Sequence, residues 1–226
     1  MRGGVNRGVW ANRVAHAPSW TDRRVIGNHR LMNSYLILHG WQNHRPKDHW
    51  QHWLADRLGD LGHHVIYPQL PDPDAPDLDV WLGELARCLD ELNNSGAAER
   101  VVLGHSASAL LWLHAVARGQ VRGDEADRVL LVGPPSRAVV AQYPEVAGFA
   151  PPAADFTLPG DVRLVAGDDD PHCPENARVA YGDPFALPTE LIPGAGHLDL
   201  VAGYGAWPAV LDWCLDGSTR LVARPA

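Results

Sequence analysis

The chain is poor in cysteine, and its three, Cys88, Cys173 and Cys214, share no short spacing. That argues against a disulfide framework and against a Cys-x-x-Cys metal site, so no metal is expected. Free thiols suit a reducing interior, and a cytoplasmic location is expected. No apolar run approaches the roughly 18 residues of a membrane-spanning helix, and no membrane partner is expected. Positive charge is in deficit. The 226 residues carry a formal net charge of −8, which gives no electrostatic reason to expect a nucleic-acid partner. No glycine-rich phosphate loop follows the first predicted strand, and the late Gly-Ala-Gly-His lacks dinucleotide spacing, so no cofactor is expected. What is present is globular: 46% hydrophobic and 20% charged residues, enough for one α/β domain with a sizeable core.

Residues 1–31 stand apart. They are rich in Arg, Asn and Gly, with six Arg against Asp22 in the first thirty positions and no clear period. They lack the apolar h-region of a signal peptide, and read as a poorly ordered arm or as a start assigned upstream of Met32. From Tyr35 the pattern changes. "SYLILHG", "HHVIYP", "RVVLGH", "RVLLVGPP", "VRLVAGDDDP" and "TELIPGAGH" predict six strands. Between them, Lys47 to Leu58 places Trp50, Trp53, Leu54 and Leu58 at helical spacing, and Asp77 caps a helix carrying Leu78, Trp81, Leu85 and Leu89 on one face. Ala107 to Ala117 predicts a third helix stopped by Gly119, and Pro208 to Leu215 a closing helix with Pro in its first turn.

Strands alternating with helices imply right-handed βαβ units and a mostly parallel sheet of about six strands covered on both faces. The expectation is a single three-layer domain over residues 32–219 and a tail over 220–226. Its ligands should bind at the carboxyl ends of the strands. Residues 134–159 lack a long periodic helix, so no large lid is expected.

The stretch "VVLGHSAS" is close to the G-x-S-x-G elbow of α/β-hydrolases, with Ser108 where the last Gly would stand. A strand ending in Gly104 and turning at once into a helix puts Ser106 on a sharp bend above unpaired helix N–H groups. The other reading of Ser106 is an ordinary helix cap. A serine hydroxyl is a weak nucleophile and needs a His base oriented by a carboxylate. In α/β-hydrolases these partners follow in the order Ser, acid, His. Asp168, Asp169 and Asp170 end the fifth predicted strand, and His197 follows the sixth after a Gly-rich turn. Two N–H groups should hold an oxyanion: that of Ala107, and that of Trp41 in the His39-Gly40-Trp41 turn after the first strand.

The sequence also resembles the small serine hydrolases related to retinoblastoma-binding protein 9, especially their bacterial members. The resemblance runs from Tyr35 to Leu215 through "LILHGWQNHRPKDHWQHWLADRL", "LGHSASALLWLHAVA", "DVRLVAGDDDPHCP" and "GAGHLDLVAGYGAWPAVLDW". In that family the triad acid directly precedes a Pro, so the resemblance implies Asp170, before Pro171, beside Ser106 and His197. It implies the α/β-hydrolase fold and a serine hydrolase. Two positions depart from it: Ser108 in the elbow, and Asp199 where bacterial relatives more often have Asn. A second carboxylate there would raise the pKa of His197 or compete for it. The Leu-x-Cys-x-Glu retinoblastoma-binding motif is absent, so no such partner carries over.

The expected function is hydrolysis of small ester or amide substrates through an acyl-enzyme, with Trp41, Trp50 and Trp207 as candidate site walls. Lys47, His49 and His52 read as the solvated side of a helix rather than a metal cluster. The competing expectation is a catalytically weak binding or scaffold protein on the same fold, with Ser108 and Asp199 as signs of decay.

Overall fold

The computed structural model describes Met1 and residues 32–225; the expected N-terminal arm otherwise lies outside the described residues. The six apolar runs form strands β1 (Ser34–Leu38), β2 (His64–Ile66), β3 (Arg100–His105), β4 (Arg128–Val132), β5 (Asp161–Gly167) and β6 (Thr189–Ile192). They pair in the order β2-β1-β3-β4-β5-β6, every pair parallel. The central strands must therefore be apolar on both sides. Successive residues alternate between two cores. Leu36, Leu38, Val102, Leu131 and Leu164 pack on one face. Tyr35, Ile37, Leu103, Leu130 and Val165 pack on the other.

Helices α2 (Leu78–Asn93) and α3 (Ala107–Ala117) cover the first face, and α1 (Trp50–Asp60) and α5 (Pro208–Leu215) the second. The three-layer single-domain architecture expected from the sequence is present within the compact unit Leu31–Ala226. The Asp77 carboxylate caps α2 by accepting from the amides of Asp79 and Val80. Helix α1 begins at Trp50 rather than at Lys47, because His49 turns its ring back to accept from Gln51 N and starts the helix there. His49 is buried. Its expected place on a solvated face is corrected accordingly.

Between β4 and β5 lie a single helical turn, α4 (Arg137–Val140), and a 3-10 segment, Pro144–Phe149. Among the described residues no lid is built on them. At the far end of the sheet Arg128 is buried, pairs with Glu99, and donates to the carbonyls of Trp213 (2.7 Å) and Cys214 (2.8 Å). It joins the start of β4 to the end of α5. Beyond α5, Leu221 is buried and the Val222 carbonyl accepts from Trp207 Nε1 at 2.7 Å. All three cysteines are buried and form no disulfide. Strand order reverses between β1 and β3, since the chain goes from β1 out to β2 and returns on the other side. The loops leaving these two strands part at that point and open a crevice.

Candidate active site

Ser106 lies at the bend between β3 and α3 with φ 56° and ψ −121°, and its hydroxyl makes no capping bond to the helix. The cap reading of Ser106 is set aside by this geometry: a left-handed φ on a non-glycine residue at a strand–helix junction holds the side chain out of the helix. Gly104 is required by close approach, since a Cβ there would stand 2.8 Å from the Ser108 carbonyl oxygen. Ser108 is more than a tolerated small residue. It is fully buried, and its hydroxyl donates to the His39 carbonyl, tying the first turn of α3 to the loop after β1.

That loop passes directly over Ser106. A Cβ on Gly40 would come within 2.7 Å of the Ser106 Cβ. Trp41 and Ala107 both line the cavity at Ser106. Among the described residues neither amide donates to another group.

His197, on the loop after β6, accepts from the Ser106 hydroxyl at Nε2 (2.9 Å) and donates from Nδ1 to Asp170 Oδ2 (2.9 Å). Asp170 is 2% exposed, and its other oxygen accepts from His172 N at 2.8 Å. The neighbouring acids point elsewhere. Asp168 accepts from Gly194 N (2.9 Å) and Asp169 from Gly196 N (2.8 Å), bracing the turn that carries His197. Ser106, Asp170 and His197 are thus brought together from the ends of β3, β5 and β6.

Four further histidines surround this group without any motif to announce them. The His105 ring donates from Nε2 to the His197 carbonyl (2.9 Å), and its buried Nδ1 has no partner among the described residues. Burial holds its pKa well below the usual histidine value, and the nearby His197 adds to the shift. His39 donates to the Gly40 carbonyl and accepts from Leu70 N, and burial pushes its pKa down to about 4. Burial likewise takes His49 to about 4. The His172 ring packs 4.3 Å from that of His197; burial and then His197 lower its pKa. His39, His49 and His105 are therefore neutral at pH 7.

A cavity of about 500 Å³ opens over Ser106 and His197. Of the three tryptophans expected as walls only Trp41 lines it. Trp50 and Trp207 are fully buried against each other, ring centroids 5.5 Å apart. The wall missed in the sequence is the stretch 139–149, where Val139, Val140, Tyr143, Val146 and Phe149 line the cavity. Their three-residue spacing was legible as a one-sided helical pattern too short to stand out. Asp199 also lines the cavity, but its Oδ1 accepts from Ala202 N (2.9 Å), and it does not bond His197. Among the described residues no group of His, Cys, Asp or Glu could hold a metal ion. No described helix is long and apolar enough to cross a membrane.

Six parallel strands, helices on both faces and a serine on the bend after β3 define an α/β-hydrolase fold, and solved structures agree. The chain is similar to a YdeN-like hydrolase of Pectobacterium atrosepticum at 22% identity, covering 80% of this chain and 88% of that one with TM-score 0.64. It is similar to the ydeN gene product of B. subtilis at 19% identity, covering 81% and 97% with TM-score 0.67. It also matches Est1E of Butyrivibrio proteoclasticus at 17% identity, covering 84% and 89% with TM-score 0.58. A comparison with curated protein sequences finds no match. The family is given by the sequence itself: residues 35–215 match the serine hydrolase family model, and the chain belongs to that family.

Proposed function

We propose that this protein hydrolyses small carboxylic esters or amides through an acyl-enzyme, with Ser106 as nucleophile, His197 as base and Asp170 as the group that orients it. The observation that carries the reading is the unbroken relay of two 2.9 Å hydrogen bonds from the Ser106 hydroxyl through His197 to Asp170. As Ser106 Oγ bonds to the carbonyl carbon, its proton passes to His197 Nε2, and Asp170 holds the ring in the tautomer able to receive it. The amides of Trp41 and Ala107 face the developing oxyanion. Collapse breaks the bond to the leaving group, which takes the proton from His197. Water then repeats the sequence on the acyl-enzyme and frees Ser106. The resemblance to the retinoblastoma-binding protein 9 type supports the same three residues. The catalytic unit is taken as residues 32–219 with a tail over 220–226, and the buried free thiols support a reducing, cytoplasmic setting.

The scaffold alternative drew on Ser108 and Asp199. Each makes a bond that supports the loops of the site, so neither speaks for decay. The test is labelling of the purified chain by a fluorescent fluorophosphonate. Wild type and Ser108→Ala should label, while Ser106→Ala and His197→Ala should not. A folded wild type that stays unlabelled would overturn the proposal.

A further inference from the structure

We infer that the site takes esters with an apolar acyl group of medium length and a leaving group without negative charge. The inference rests on the proposed acyl-enzyme reading and adds the chemical class of its substrate.

Both cores reach the site. The cavity sits at the carboxyl edge of the sheet, so its two walls grow out of opposite faces. One is continuous with the α2/α3 core: Leu110, Val140, Val146 and Phe149 belong to that core, and Trp41 packs against it. The Trp41 and Tyr143 rings meet there at 5.0 Å. The other wall is continuous with the α1/α5 core, to which Ala195, Leu198 and Tyr204 belong, and it carries His197, Asp199, Leu200 and Val201 into the cavity.

The chemistry assigns the two halves of a substrate to these walls. His197 must return its proton to the leaving-group atom, so the leaving group lies on the His197 wall. The acyl group then extends along the other wall, which offers Leu110, Val140, Val146 and Phe149 and, among the described residues, no charged side chain. An apolar chain gains there by leaving water, and each further methylene adds to the gain until the wall ends.

The charge on the leaving-group wall is of one sign. Among the described residues no Lys or Arg lines the cavity, and Asp199 is the one carboxylate that does. Its Oδ1 is committed to Ala202 N, and its second oxygen has no partner among the described residues. An anionic leaving group would find no counter-charge and would face Asp199 across a partly desolvated space.

The experiment uses the full chain and two series of aryl esters. In the first, acetyl, hexanoyl and decanoyl esters of 4-hydroxybenzamide are compared. The hexanoyl ester should exceed the acetyl ester in kcat/KM by about tenfold or more, as added methylenes in an apolar pocket do. Val139→Trp narrows the acyl wall at a half-buried position and should erode that preference. In the second series, the hexanoyl ester of 4-hydroxybenzamide is compared with that of 4-hydroxybenzoate. Wild type should favour the neutral leaving group by about tenfold, and Asp199→Asn should bring the ratio to within about twofold of the ratio for hydroxide-catalysed hydrolysis. Fluorophosphonate labelling of every variant keeps the two ideas apart. A chain that labels at Ser106 yet shows no acyl preference, or whose benzamide-to-benzoate ratio ignores Asp199→Asn, overturns the substrate class. A chain that does not label overturns the underlying reading.

Discussion

One methyl group at Gly40 would place a carbon 2.7 Å from the Ser106 Cβ, well inside contact distance. Neither side has slack: Ser106 is pinned at the elbow, its amide bonded to the Val132 carbonyl at 2.8 Å, and the His39 carbonyl is held by Ser108. In Gly40→Ala the loop carrying Trp41 must lift. The fluorophosphonate labelling rate should fall by about a hundredfold, the cost of a displacement near 1 Å in a catalytic array. The melting temperature should fall by a few degrees as well, since overpacking at this contact costs about 1–3 kcal/mol and Trp41 is drawn off the core it packs against. Ser106, His197 and the acidic cluster were legible because each ends a predicted strand, where an α/β sheet gathers its chemistry. The resemblance, rather than spacing alone, singled out Asp170. The bond from Ser108 to His39 was not legible, because its partners are 69 residues apart and nothing local in either segment marks it. His49, His105 and His172 were hidden for the same reason: burial beside His197 is a property of the assembled fold.

At the level of elements, local chemistry decided the boundaries. Helices α3 and α5 begin and end where the sequence placed them, because an elbow serine starts one and a first-turn proline the other. The start of α1 was misread by three residues, since a histidine is seldom counted as a cap, although its ring nitrogen accepts as a carboxylate would. The Pro144–Phe149 wall went unrecognised because a search for long helices passes over two turns of 3-10 structure. The α2 cap gives a clean test. Asp77 is exposed and accepts two amide hydrogen bonds at the helix start. Asp77→Ala should cost about 1 kcal/mol and lower the melting temperature by about 2–4 °C, with kcat/KM unaltered. Calorimetry beside an esterase assay would check both.

Among the described residues, His39 and His49, held near 4, and His105, held well below its ordinary value, are buried and neutral. Their pKa values are lower in the folded than in the unfolded chain, so the unfolded chain takes up protons first as pH falls. Stability is therefore fully present above about pH 6.5 and is lost progressively as pH drops toward 4. The urea midpoint should be lower at pH 5 than at pH 7.5, by a loss on the order of several kcal/mol, while the denaturant slope stays the same. The three thiols make such an opening visible. Burial pushes Cys88 up to about 11, Cys173 to about 12 and Cys214 higher still, so the native chain presents little thiolate to an alkylating reagent. Each thiol marks a different region: Cys88 is on α2, Cys214 is on α5 across the sheet, and Cys173 lies three residues past Asp170. Pulsed iodoacetamide with peptide mass spectrometry should tag all three together if the domain opens as one body. Cys173 tagged ahead of the others would mean that the loop bearing Asp170 opens alone. The chain thus carries its own clocks, one in each covering layer and one beside Asp170.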